Sequence, residues 1–397
     1  MADFRTMRLN PVSGAQPAQE AVDLGSLDSV APLPGLDTVM TMELPDGGVS
    51  INFSPVQKEV DAEAASDHDE NLAFHVDSSE LVGVADTLMR LVKDDITRQE
   101  DRLKDIVTGI DLLGVKLEQP KDEPGMEGIS VINHPLLLEA VMRFQASCRG
   151  ELLPSDGPVK VDNEADQTEE IARQAMALQD DFNFYLTTGA PEYYPDTDRM
   201  LLMLGFGGTA FKKVYYCPLR NRPVSESVDA DDLIVNNSAT DLANAKRITH
   251  RVNMRPSVVK RLQIMGVYRD IDLGRPSAPK LDSLQREEKA QQGIAAETMR
   301  AEDRDREIYE VYCELDIEGF EHKHKGRSSG LEIPYRVTID VSSKEILSIV
   351  RNYDEDSKEL PVPRKTFVKY TFVPGLGFYD IGLLHILGNT TNAITAA

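Results

Sequence analysis

The feature that most limits the fold is a change of pattern inside one stretch, DTDRMLLMLGFGGTAFKKVYYC, residues 196–217. The apolar run Met200-Leu201-Leu202-Met203-Leu204, preceded by the capping residues Asp196-Thr197-Asp198, predicts a short helix Arg199–Leu204 that Gly205 ends. Directly after the glycines, Ala210–Cys217 is β-branched and aromatic, which predicts a strand. The glycines match G-x-G-x-x-G/A letter for letter, but a phosphate cradle needs strand, loop and helix in that order, so that helix amides face the pyrophosphate. The order here is helix, loop, strand. Gly205, Gly207 and Gly208 are therefore predicted to be a structural turn motif. The rival is a nucleotide-binding enzyme built on Gly205–Ala210, although no G-x-x-x-x-G-K-[ST] motif and no kinase signature accompanies it.

Upstream of this corner the pattern is helical. Leu81, Val84, Leu88, Val92, Ile96, Leu103, Ile106, Ile110 and Leu113 recur at three- and four-residue spacing. They predict one long helix over 77–113, started by an Asp77/Glu80 capping box and stopped at Gly114. Two more helices are predicted, from His134-Pro135 to Gly150 and from Thr168 to Thr187. Downstream, strands are predicted at 247–254, 307–317, 335–341, 345–351 and 366–373, with Ser342-Ser343-Lys344 as a hairpin connection. One helix after Pro256 and one charged helix over 281–303 interrupt them. The fold class is thus α+β, a helical first half followed by a mainly antiparallel β region with inserted helices. The expected divisions are an acidic, flexible arm at 1–76, a helical part at 77–190, an α+β part at 191–374 and the start of a further helix at 375–397.

The 397 residues carry a formal net charge of −24, which opposes a simple electrostatic grip on DNA phosphates. Residues 1–80 hold fifteen acidic and three basic residues, a balance of −12, so half of that charge lies in about a fifth of the chain. Cys148, Cys217 and Cys313 are odd in number and far apart, supporting neither a disulfide framework nor a thiolate metal site. No run approaches the length of a membrane span and the start lacks a signal-peptide core, so a soluble, unexported chain is expected.

No residues are put forward as catalytic, cofactor-binding or metal-binding. His322-Lys323-His324 offers two imidazoles without a third marked ligand, and a polar loop tip is the expected role. His68, Asp69, Glu70 and His75 fall in the acidic arm, where unpatterned carboxylates are common. Asp229-Ala230-Asp231-Asp232 reads as a polar turn entering the strand Leu233-Ile234-Val235. The middle of the chain is its most basic part, and Lys212, Lys213, Arg247 and Arg251 are the candidate contacts to a neighbouring subunit or to DNA.

Three segments carry a family resemblance: DTDRMLLMLGFGGTAFKKVYYCPLRNRPVSESVDADDLIVNNSATDL, RITHRVNMRPSVVKRLQIMGVYRDIDL and FVPGLGFYDIGLLHILGN. Together they resemble the portal proteins of tailed bacteriophages, nearest in type to the P22-like portal family, over roughly residues 180–397. The resemblance implies a structural subunit of a homo-oligomeric ring, about twelve copies at one capsid vertex. Such a ring is the conduit for DNA packaging and ejection, and the attachment point for motor and tail. It implies no enzyme activity and no cofactor. The implied partners are the chain itself, the capsid protein, the terminase motor, a tail adaptor and double-stranded DNA passing non-specifically, with no membrane. The location implied is the virion, assembled in the host cytoplasm. Residues 77–190 would be the helical part of the wing and 191–374 its α+β region, and Gly375–Tyr379 would lead into a stem helix that stops mid-element at Ala397, without the stem, clip and crown that family members continue into. A ring needs lateral surfaces, for which the helices at 77–113 and 281–303 are the expected sources. A different virion structural protein, such as a tail adaptor, is the second alternative.

Overall fold

The computed structural model describes residues 40–43, 49–52, 68–115, 134–162, 168–236, 238–277, 283–291, 304–325 and 327–395. Most of the acidic arm, residues 292–303 of the charged helix and Ala396-Ala397 lie outside them. The chain divides into two units, Met1–Asp69 and Glu70–Ala397. In the first, strands β1 (Met40–Glu43) and β2 (Val49–Asn52) pair antiparallel, with Met40 opposite Asn52.

The second unit is α+β, and its helical part holds two helices where one was expected at 77–113. Helix α1 spans Ser78–Arg98 and α2 spans Glu100–Leu113, separated at Gln99, whose φ/ψ of −96/−3 departs from the helix. No glycine or proline marks this break. The Gln99 amide instead turns inward to donate to the Val235 carbonyl at 3.1 Å, and the two halves serve different cores. The expected capping box is also absent. Asp77 makes no side-chain cap bond, and the Glu80 carboxylate accepts the Glu318 N–H at 2.9 Å. Helices α3 (Leu136–Leu152), α4 (Glu169–Phe184, continued by one π turn to Gly189) and α5 (Tyr193–Gly207) follow.

The strands after α5 form two larger sheets. A three-stranded antiparallel sheet has the order β12-β3-β4, from Phe367–Thr371, Thr209–Cys217 and Arg222–Val228. A five-stranded antiparallel sheet runs β11-β10-β7-β6-β5, from Ile346–Arg351, Ile333–Asp340, Arg306–Leu315, Arg247–Met254 and Leu233–Val235. Helix α6 (Pro256–Ile264) and the described part of the charged helix, α7 (Ser283–Gln291), are inserted, and α8 (Leu383–Thr395) comes last. The small ribbon β8 (Lys323–His324) with β9 (Arg327–Ser328) completes the pairing.

Strand alternation separates two cores. Tyr309, Val311, Tyr335, Val337, Ile339 and Ile349 project to one face of the large sheet, where Leu81, Ala85, Leu88 and Val92 of α1 cover them. Each such fully buried aliphatic side chain contributes about 1.5–3 kcal/mol of burial. The other face carries Tyr312, which packs with Phe211, Phe367 and Phe378 between the two sheets. A third core joins α2, α3, α5, α7 and α8 through Ile106, Leu137, Val141, Phe206, Leu284 and Leu384. The first core begins earlier than the expected boundary at 77. Leu72, Ala73 and Val76 are buried in it, and the Asn71 side chain satisfies the open edge of β11, accepting from Ile349 N–H and donating to Leu347 C=O.

Candidate functional site

The glycine corner performs three separate tasks. The helix continues past Gly205, the expected stop, to Gly207, and the Gly208 N–H closes it on Leu204 C=O at 2.9 Å. Gly205 lies inside the helix at a point where a β-carbon would sit 2.5 Å from the Phe144 ring, while one on Gly207 would meet nothing. Gly208 alone makes the turn, at φ 89°. Its α-carbon faces backbone rather than solvent, since an added β-carbon would lie 2.4 Å from both Gly382 N and Ile381 C. Gly382 is constrained in return, its β-carbon position being 2.3 Å from Phe206 C=O. The space where a cradle would hold a phosphate is therefore filled by residues 380–382 of the same chain. The helix end that faces them presents carbonyls, the wrong pole for an anion.

Asp380 fastens this contact. It is buried, accepts from the Thr371 hydroxyl at 2.9 Å and the Gly375 N–H at 3.2 Å, and pairs with Lys369 at 2.8 Å. Its own N–H donates to Thr209 Oγ1 at 2.8 Å. Phe378 stacks on Phe211, and the Arg102 guanidinium lies 3.8 Å over the Tyr379 ring. Beyond the loop, Leu384 at the start of α8 fits against Gly109 of α2, where a β-carbon would approach it to 2.4 Å.

Three of the four candidate contact cations, Lys212, Lys213 and Arg247, are buried, and Arg251 is half-buried. Lys212 is 2 % exposed, reaching Asp196 at 3.0 Å and the Thr197 hydroxyl at 2.8 Å; burial lowers its pKa against the pull of Asp196. Lys213 on the opposite face of β3 pairs with Glu310, beside His250 Nδ1 at 3.4 Å. Burial alone would raise the Glu310 carboxyl, but Lys213 and His250 outweigh it and hold the group far below the usual carboxylate range. Arg247 pairs with Asp95 of α1, its Nε 2.9 Å from Oδ2, and Arg251 Nε lies 2.8 Å from Asp232 Oδ1. The reason is layering: α5 and the large sheet sandwich β3, so lysines on both of its faces are enclosed and need an internal carboxylate.

The Asp229–Asp232 turn does enter β5, and each of its carboxylates has an arginine. Asp229 pairs with Arg199 at 3.3 Å, Asp231 with Arg102 at 3.0 Å and Asp232 with Arg251. Burial pushes the Asp231 carboxyl up to about 6 despite Arg102. Glu288 of α7, half-buried beside this turn, is pushed up to about 7 by burial and by Asp231, Asp229 and Asp232. Among the described residues, no three His, Cys, Asp or Glu side chains are placed to hold a metal ion. His322 is buried rather than at a loop tip, its ring nitrogens 2.7 Å from Ser329 Oγ and 3.2 Å from Lys358 C=O. Glu70 and His75 form an exposed pair at 2.9 Å.

A crevice of about 400 Å³ lies between α6 and residues 270–274, with Lys260, Gln263 and Arg306 on its wall. The buried polar groups there are already engaged: Gln263 donates to Arg269 and Ile271 carbonyls, and Arg306 reaches Asp340 and Leu273 C=O. No helix among the described residues is long and apolar enough to cross a membrane. No family model matches the chain, and no curated protein matches it.

Proposed function

We propose that the chain is a structural subunit of a viral portal ring, contributing its wing and the start of its stem. The observation that carries this reading is the Gly208–Gly382 backbone apposition. It couples two of the three segments in which the portal resemblance lies, the helix–corner–strand segment and the FVPGLGFYDIGLLHILGN segment, into one rigid junction. A helix leaving that junction has its direction fixed by the wing, which is what a ring needs if every subunit is to present the same stem to a central channel. The internal neutralisation of Lys212, Lys213, Arg247 and Arg251 supports the same role. With those cations paired and a net charge of −24, the body gives passing DNA little to grip.

Negative-stain electron microscopy of the purified chain over a concentration series tests this. Closed rings with a central channel are expected, and particles that stay monomeric at every concentration overturn it. The rival nucleotide enzyme is tested by thermal shift with ATP, GTP and NAD. No stabilisation is expected, because residues 380–382 occupy the corner, and a clear concentration-dependent rise in Tm would favour the enzyme.

A further inference from the structure

Strands β7 and β10 are neighbours in the large sheet, and Ile333 lies directly opposite Leu315. A hairpin loop of about two to five residues usually closes such a pair. Here seventeen residues, 316–332, intervene, a length at which a connection in a compact unit generally has a function. This excursion is tied down at its base. Ile317 and Ile333 are buried at its two ends, and the Tyr335 hydroxyl donates to Phe320 C=O at 3.2 Å. The buried His322 ring reaches Ser329 Oγ and Lys358 C=O, and the Ser329 N–H donates to His322 C=O at 2.9 Å. Beyond this base runs the β8–β9 ribbon, with Lys323 opposite Ser328, His324 opposite Arg327, and Lys325 in the turn at a left-handed φ of 52°. Lys323, His324, Lys325, Arg327 and Ser328 are all exposed.

The ribbon is basic in an acidic chain. Residues 322–331 contain Lys323, Lys325, Arg327 and two histidines but no carboxylate; Asp316, Glu318, Glu321 and Glu332 all lie before His322 or after Ser329. Among the described residues, none of the three cations is paired with a carboxylate. Other surface cations are: Lys104 meets Asp101, Arg143 meets Glu139, Lys260 meets Asp270 and Lys358 meets Glu355. The cations expected to contact DNA, Lys212, Lys213, Arg247 and Arg251, are engaged inside the fold.

Geometry selects the kind of polyanion. Cross-strand partners share a face of a ribbon and successive residues alternate, so His324 and Arg327 lie on one side, Lys323 on the other and Lys325 at the end. A flat acidic protein surface would be met from one side only. Cations on both sides and at the tip suit a cleft with negative walls, and the major groove of B-form DNA admits a two-stranded β-ribbon. The major groove of an A-form RNA duplex is too narrow for this.

We infer that the β8–β9 ribbon is a finger that enters the major groove of double-stranded DNA and pairs Lys323, Lys325 and Arg327 with phosphates on its two walls. About three phosphates per copy make a weak, salt-sensitive hold that leaves the duplex able to slide. The finger is complete in one chain, so this inference stands or falls separately from the ring reading.

Fluorescence anisotropy of a labelled mixed-sequence DNA duplex, titrated with the full 397-residue chain over a salt series, tests it. The logarithm of the binding constant should fall against the logarithm of salt with a slope at least as steep as about −3, from three phosphates at about −0.9 each. Lys323→Gln, Lys325→Gln and Arg327→Gln are each expected to reduce the slope by at least about one. The triple variant should bind at least about tenfold more weakly at about 50 mM salt. Arg173→Gln, which removes an exposed cation of α4, should leave slope and affinity unchanged. A wild-type chain that does not bind the duplex, an unchanged slope in the triple variant, or an equal loss in Arg173→Gln overturns the inference. Equal binding to single-stranded DNA or to polyglutamate overturns it too, because neither offers a groove. If the triple variant loses its circular-dichroism spectrum, acetylation of the wild-type chain decides. The duplex should shield Lys323 and Lys325 from the reagent, and equal labelling with and without it overturns the finger while leaving the ring to the microscopy.

Discussion

Helices α1 and α4 are both amphipathic, yet they meet the rest of the chain with opposite sides. Helix α1 turns Leu81, Ala85, Leu88 and Val92 onto the large sheet, and even its buried Asp95 is matched by Arg247. Helix α4 turns Gln179 and Asn183 inward, bonds them to the backbone at 159–161, and leaves Leu178 and Phe182 in solvent. The difference teaches that a periodic apolar stripe identifies a face needing cover without saying which molecule supplies it. For α1 the cover is in the same chain. Around α4 it is absent among the described residues, and Leu178 and Phe182 stay half in solvent.

The largest effects are expected where the chain is closed on itself. Lys213→Ala leaves Glu310 buried without its main counter-charge, and breaking one side of such a pair destabilises by about 3–5 kcal/mol. Urea unfolding measures this, and a loss below about 1 kcal/mol would mean that water or His250 compensates and the inter-sheet layer is less closed than described. Gly208→Ala comes next. It combines a left-handed backbone with a methyl pressed against Gly382 and Ile381, together about 2–4 kcal/mol. Because the strain lies at the junction with α8, amide exchange in residues 383–395 should rise with it. Unchanged protection there would separate the corner from the helix that it is proposed to direct.

The sharpest contrast lies in two adjacent residues of α4. Asn183→Ala removes both bonds to Val159 and leaves a backbone N–H and carbonyl unsatisfied, which costs about 1–3 kcal/mol. Phe182→Ala removes a larger side chain, yet in the monomer it should fall within about 0.5 kcal/mol, since half of that ring is already in water. Ordinary helix logic predicts the reverse order. If Phe182→Ala is the more damaging of the two in dilute, monomeric protein, the outward stripe has an internal partner and the comparison with α1 collapses.

Much of the fold was readable from the residues, and the gaps have physical causes. Strand β6 occupies the predicted 247–254, and β3 begins one residue before its predicted start at Ala210, because alternation and β-branched residues are local signals. The break at Gln99 left no local mark, since what bends the chain there is a carbonyl at position 235. The enclosure of Lys213 and Arg247, expected as contacts to a subunit or to DNA, was hidden for the same reason. Glu310 and Asp95 lie far away in sequence from the cations they neutralise, and only the stacking of the two sheets and α1 brings them together. At the corner, the order helix–glycine–strand argued for a turn over three glycines, whereas the turn falls on Gly208 alone, and the need for glycine there comes from Gly382, whose approach no spacing rule encodes.

The smallest expected effect tests whether α7 belongs with the closed regions. Glu288 and Asp231 have folded-state pKa values of about 7 and about 6, above the ordinary carboxylate values they take when unfolded. The folded chain therefore holds more protons across that range, and stability should rise as pH falls from about 8 to about 5. Glu310 has the opposite sign. Its depressed pKa contributes stability above the ordinary carboxylate value and loses it only at lower pH, so the two contributions do not overlap. The lower net negative charge at pH 5 would also stabilise any compact state of this chain, so the informative quantity is a difference between variants. Glu288→Gln should flatten the rise in urea midpoint between pH 8 and pH 5 while leaving the acid limb unchanged. An equal rise in both proteins would mean that Glu288 does not face the Asp229–Asp232 turn in solution, and that α7 is less closely packed against it than the other helices are against their cores.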